Sequence, residues 1–270
     1  MRISVMMHEG QSRKMRTQLA NAVEYELRLG HKFIPLNEYI GRPIRLSFHG
    51  HIECIECGRR TNKSFAQGFC FPCMRDSPMN SECIIRPELC RGHLGEGRDP
   101  EWERRHHVQE HVVYLAVSST FKVGITRNDQ VPTRWIDQGA TCARVIARTP
   151  HRCAAGELEV ALKSIFTDRT SWQKMLKNDV LDTPDWEWAL AQAREATPVS
   201  HMPYLVHDEP VIHVPYPVLA YPDTVKSVSF DKQPVVEGEL MGIKGQYLLL
   251  SGNRVLNIRK HNGYRLTFEA

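Results

Sequence analysis

Two Cys-x-x-Cys pairs, Cys54/Cys57 and Cys70/Cys73, stand twelve residues apart in the first third of this 270-residue chain. Two intervening residues set a pair of thiolates about one tetrahedral edge apart, and a second pair completes the four ligands that Zn²⁺ prefers. Gly58 and Gly68 sit beside the pairs, where a chain turning back toward a metal needs positive φ. A redox dithiol needs only one such pair, so the duplicated spacing favours a metal over thiol chemistry. With all four positions filled by protein, this zinc is expected to hold structure and to leave no open position for a substrate.

The rest of the cysteine usage agrees. Six of the eight cysteines lie between Cys54 and Cys90. The opening stretch MRISVMMHEGQSRK has no uninterrupted apolar core and no small-residue cleavage site, so a disulfide framework is not expected and a cytoplasmic location is. A second candidate tetrahedron is Cys83, Cys90, His93 and His107, closing across Gly95 and Gly97. The competing reading is that histidines next to Arg104 and Arg105 are simply solvated.

With 41% hydrophobic and 24% charged residues the chain has the composition of a soluble globular protein. No apolar run approaches the roughly 20 residues that span a bilayer, so no membrane partner is expected. A net charge of +4 is compatible with nucleic acid without singling it out. Locally, cations outnumber acids between Ala140 and Asp179, with Arg144, Arg148 and Lys163 as candidate phosphate contacts; a solvated helix face would read the same way.

Five segments follow from pattern and composition: 1–50, an N-terminal α/β segment containing the alternating strand IRLSFHGHI; 51–111, the zinc-knuckle region; 112–196, a small domain; 197–223, a proline-rich connector; and 224–270, a C-terminal β module punctuated by glycine. The fold class is therefore α+β. In the third segment VVYLAVS and FKVGIT read as strands joined by Ser119-Thr120. Pro132 opens a short helix that Gly139 ends, CARVIAR is a third strand, and AAGELEVALKSIF is an amphipathic helix. Two further helices, SWQKMLKNDV and DWEWALAQARE, complete a small α/β sandwich. In the last segment Lys244, Arg259, Lys260 and Arg265 interleave with Tyr247 and Tyr264, a pattern that suits single-stranded nucleic acid and equally an ordinary β surface.

The strand pair VVYLA and KVGIT, an Arg-Trp pair on the next helix and a glutamate on a later one together resemble the GIY-YIG nuclease superfamily, in the branch whose second motif reads K-[IV]-G-I-T. The likeness covers 112–175. The phrases CGRRTNKSFAQGFC, RPELC, RWIDQGA and GIKGQYL also resemble an uncharacterised bacterial family that couples zinc knuckles to such a core. The resemblance implies a small GIY-YIG-like α/β sandwich flanked by the zinc-binding region and the β module. It implies a metal-dependent endonuclease acting on DNA or structured RNA, with nucleic acid as partner. Position by position, the first motif's tyrosine falls on Tyr114 and the second motif's aromatic on Lys122. The helix arginine falls on Arg134, and the ligand of a catalytic Mg²⁺ or Mn²⁺ on Glu159, with Glu157 in reserve.

Phosphodiester hydrolysis needs an activated water, a cation facing the phosphoryl oxygens and a divalent metal, and these residue types can supply all three. Tyr114 could act as base only with cations nearby to favour phenolate. Two other classes compete: a zinc-stabilised nucleic-acid-binding protein without catalysis, and a zinc-containing protein–protein adaptor.

Overall fold

The computed structural model describes residues 6–169 and 171–270. The opening MRISV, part of the stretch read above as lacking a signal sequence, lies outside the described residues. The chain divides into two compact units. One joins the described residues up to Arg75 with Pro215–Ala270; the other is Asp76–Val214.

The first unit begins with β1 (Met7–Gln18), β2 (Glu24–Leu29), β3 (Lys32–Pro35), β4 (Pro43–Glu53), β5 (Arg60–Thr61) and a short α1 (Phe71–Asp76). The second unit carries α2 (Pro100–His107), β6 (His111–Val117), β7 (Phe121–Arg127), α3 (Thr133–Asp137), β8 (Cys142–Thr149), α4 (Arg152–Leu162), α5 (Trp172–Leu176), α6 (Trp186–Ala196) and β9 (Ile212–His213). The chain then returns to the first unit as β10 (Lys226–Val228), β11 (Val235–Lys244), β12 (Tyr247–Leu250), β13 (Arg254–Asn257) and β14 (Tyr264–Glu269). Among the described residues no helix is long and apolar enough to cross a membrane.

One mixed sheet organises the first unit, in the order β10-β13-β12-β11-β4-β14-β1-β2-β3, with β5 on the end of β4. The segments 1–50 and 224–270, read separately from sequence, are thus interleaved: β14 lies between β4 and β1 and pairs with both. Strand pairing depends on partners more than 200 residues apart here, and such partners leave no local pattern. The long strands bend as they change neighbours. β11 pairs with β4 over Val235–Glu239 and with β12 from Leu240 on, with a register shift at the change. The Gly252-Asn253 hairpin read from sequence joins β12 to β13, with φ of 74° and 63°, the double positive φ that makes tight turns select these two residue types. Met15, Val23, Leu27, Leu29, Leu240 and Phe268 are among the first unit's wholly buried side chains.

The basic-aromatic pattern of the C-terminal β segment does not form an exposed stacking surface. Lys244 is wholly buried, with Tyr216 and Tyr221 rings about its ammonium at 5.3 and 5.1 Å. Tyr264 is also buried and donates to Asp231 at 2.5 Å. Arg265 pairs with Glu9 at 2.6 Å. Alternation along a strand told which residues share a face, but not that Lys244 and Tyr264 would be covered.

The second unit follows the order of elements read from sequence. Its sheet runs β7-β6-β8-β9, all antiparallel. Every residue of β6 is buried, because both faces of the sheet are covered. On one side Val113, Leu115, Val117 and Val123 pack with Leu158 and Leu162 of α4 and Ala189 and Ala193 of α6. On the other, Val112, Tyr114 and Ala116 pack with Trp135 of α3 and with Ala143 and Val145 of β8. Residues of the connector segment, after a 3-10 turn at Val199–Tyr204, supply β9 to this sheet.

Candidate functional site

Three clusters of chemistry-bearing side chains stand out. The first is built where β4 ends. Cys54 and Cys57 bracket a tight turn in which Gly58 (φ 70°) donates its N–H to the Cys54 carbonyl at 3.0 Å. A hairpin-like turn closed between Phe65 and Phe69 then delivers Cys70 and, from α1, Cys73. Gly68 (φ 134°) is pressed against Ile55, so a side chain there would collide at 2.6 Å. The four sulfurs all lie within 4.8 Å of one another, and Cys57 and Cys70 Sγ are 3.8 Å apart. Ligands about 2.3 Å from a tetrahedral ion are separated by about 3.8 Å, so the cage fits a metal such as zinc. Burial alone would push the Cys54 thiol up; backbone N–H groups of Cys57, Cys70 and Glu56 more than offset it and bring it down to about 6. Cys73 is pushed up by burial and by the neighbouring sulfurs, a crowding that a cation at the centre would relieve.

The second cluster corrects the sequence reading. Its members are Cys83, Cys90, Glu103 and His107, all buried, with ligand atoms within 4.8 Å of one another. His93 is not among them: its ring stacks on His151 at 4.3 Å, nearly parallel. Glu103 takes its place because α2, capped by the Asp99 side chain, carries Glu103 and His107 four residues apart and so on one face. His107 Nδ1 is 3.8 Å from Cys83 Sγ and 3.4 Å from Cys90 Sγ, and it also meets Glu103 Oε2. An i,i+4 Glu–His pair behind an aspartate cap was the signal in the sequence that would have found this set.

The third cluster surrounds Tyr114. This side chain is wholly buried on β6, its ring edge-on to Trp135 at 5.7 Å. Directly across the strand pair lies Gly124. A Cβ at Gly124 would stand 2.7 Å from the Tyr114 hydroxyl, so the glycine of KVGIT is there to make room for that ring. Lys122, two residues earlier and therefore on the same face, is 3% exposed. Both polar groups converge on a residue that the sequence did not single out. Tyr114 donates to Gln138 Oε1 at 3.2 Å, and Lys122 Nζ donates to the same oxygen. Gln138 ends α3, and nothing in the local pattern marked it.

The positive charge of Arg134, from α3, acts on the Tyr114 hydroxyl. Glu159, on α4, is buried and its charge is felt at both Tyr114 and Lys122. It pairs with Lys163 at 3.5 Å, and Lys163 reaches Asp168 at 3.2 Å. Glu157, the other carboxylate of that helix, is exposed and pairs with His201 at 3.2 Å.

The titration tendencies run against a phenolate. Burial raises Tyr114, and the Arg134 charge only partly opposes it. Burial, helped by Arg134, lowers Lys122 to about 8. Burial likewise raises Glu159, with Lys163 pulling the other way. Of the expected phosphate contacts, Arg148 is taken up by Glu209 at 2.6 Å and Glu110 at 2.9 Å. Arg144 lines a cleft of about 250 Å³ with Leu190, Arg194, Leu205 and His207.

Comparison with the curated proteins finds no match, and comparison with the solved structures finds none either. One family model matches residues 41–266, which takes in both the cysteine cages and the Tyr114 cluster. The chain therefore belongs to the family described as "Protein of unknown function (DUF2797)".

Proposed function

We propose that the Asp76–Val214 unit is a metal-dependent endonuclease of the GIY-YIG type, hydrolysing phosphodiester bonds in DNA or structured RNA, and that the Cys54/Cys57/Cys70/Cys73 cage of the other unit holds a structural zinc ion. The observation that carries this is the meeting of Tyr114 and Lys122 at Gln138 Oε1, with the charges of Arg134 and Glu159 acting on the same two groups. The four residues chosen by motif order come from four different elements.

In this reading Glu159 binds Mg²⁺ or Mn²⁺, with Asp168 a second carboxylate within reach of the cation position that Lys163 bridges. Arg134 steadies charge on the phosphoryl oxygens. Lys122 is a better proton acceptor than Tyr114: an amine near 8 is partly neutral at physiological pH, whereas the buried phenol is not ionised. Tyr114 and Gln138 then orient that amine.

The test uses the purified chain with nicked, branched and single-stranded DNA and with RNA, in Mg²⁺ or Mn²⁺. Expected is cleavage that Glu159→Gln lowers by about 100-fold or more, the scale of a lost metal ligand's charge stabilisation, while binding persists. No metal-dependent cleavage on any substrate refutes the hydrolase.

A second reading has its own support. Tyr114 and Lys122 touch almost no solvent, which suits a packed polar core in a nucleic-acid-binding module that does not cut. That reading requires salt-sensitive binding, weakened by Arg134→Ala, with no turnover.

A further inference from the structure

We propose that Cys83, Cys90, Glu103 and His107 bind a second metal ion, Zn²⁺, independent of the four-thiolate cage, and that this ion fixes the loop on which α4 is seated. The donor set is chemically suited: two soft thiolates, an imidazole and a carboxylate, all borderline-to-soft or charged ligands that zinc accepts in tetrahedral sites. A sulfur about 2.3 Å and a nitrogen about 2.0 Å from a tetrahedral ion lie about 3.5 Å apart. The two sulfur–nitrogen separations in the cluster, 3.4 and 3.8 Å, bracket that value.

Without an ion the cluster is hard to account for. Glu103 is 2% exposed, and its fully buried Oε2 is pressed against His107 Nδ1 without forming a regular hydrogen bond. Two sulfurs, a carboxylate oxygen and an imidazole nitrogen are gathered within 4.8 Å of one another in the protein interior. The surroundings are shaped to hold the group shut. A Cβ at Gly97 would strike Glu103 Cγ at 2.5 Å, and one at Gly92 would crowd Glu103 Cβ at 3.3 Å. Charge also balances. Two thiolates and a carboxylate carry one more negative charge than Zn²⁺ cancels. The half-buried Arg152 guanidinium, donating to the Cys83 carbonyl at 2.9 Å and the Ile84 carbonyl at 3.0 Å, supplies the remaining positive charge.

Arg152 also links the site to the rest of the unit, because it is the first residue of α4. The loop between Cys83 and Cys90 lies directly on that helix. Cys153 Sγ donates to the Glu88 carbonyl at 3.4 Å, and a Cβ at Gly156 would come within 2.3 Å of the Glu88 backbone nitrogen. An ion gripping both ends of this loop therefore anchors the face of α4 one turn before Glu159. The inference about the ion does not depend on what Glu159 does.

The experiment is metal counting on the purified full-length chain by plasma mass spectrometry. Wild type is expected to carry two zinc ions per chain. His107→Gln, Cys83→Ser and the shape-conserving Glu103→Gln are each expected to carry one, as is Cys57→Ser. Hydrogen exchange should rise in the 83–90 loop and the first turn of α4 in Glu103→Gln and stay unchanged in the first unit. A wild-type count of one that falls to zero in Cys57→Ser overturns the site with no need for any variant of it to fold. A folded Glu103→Gln that keeps two ions overturns the ligand assignment.

Discussion

Replacing Lys122 by Met separates the energetics of the Tyr114 cluster from its chemistry. The ammonium is 3% exposed, and burial lowers it from 10.5 to about 8. At about 1.4 kcal/mol per pH unit, holding it charged in the folded state costs about 3 kcal/mol of stability. Met keeps the length of the side chain without the charge but gives up the charge-assisted hydrogen bond to Gln138, a loss of about 2 kcal/mol. The variant is therefore expected to be more stable by about 1 kcal/mol at pH 7.

The pH dependence has a definite sign. Below 8 the lysine is protonated in both folded and unfolded chains, so the full penalty applies. Between 8 and 10.5 only the unfolded chain holds the proton, so wild-type stability climbs with pH and the gap to Lys122→Met closes. All five tryptophans lie in the second unit, so fluorescence-detected urea unfolding reports that unit alone. A variant no more stable than wild type at pH 7, or a gap that does not narrow from pH 8 to 10, refutes the reasoning.

Two further substitutions probe close approaches. Gly124→Ala places a methyl 2.7 Å from the Tyr114 hydroxyl and 2.8 Å from its ring carbon, in a site with no free space. Its expected cost is about 1–3 kcal/mol in urea unfolding, much of it recovered in a Tyr114→Ala background. Gly156→Ala sets a methyl against the Glu88 backbone, which has less freedom to yield than a side-chain end. Competition with a chromogenic chelator should show the second zinc leaving faster from this variant while the four-thiolate ion is unaffected.

How much could be read from the chain alone depended on whether the responsible contacts were local. Cys54, Cys57, Cys70 and Cys73 were legible because a knuckle is a short-range device, with ligands and turn glycines within a few residues of each other. The elements from Val112 to Ala196 were legible for the same reason: continuous apolar runs, a proline at one helix start and a glycine at its end are local signals. The second cage was half legible. Its cysteines stood out, but choosing between His93 and Glu103 required knowing that α2 turns Glu103 and His107 inward together while His93 stacks elsewhere.

Tertiary structure alone decided the rest. The first and last segments of the chain form one sheet, because backbone hydrogen bonds between strands do not depend on how far apart the strands lie in sequence. Gln138 joins Tyr114 and Lys122 only because α3 ends over their face of the sheet. Lys244, Tyr264 and Lys122 have the letters of a solvated surface, yet they are buried. Residue type sets the cost of taking a charge or hydroxyl out of water; only the packing of distant elements determines whether that cost is incurred.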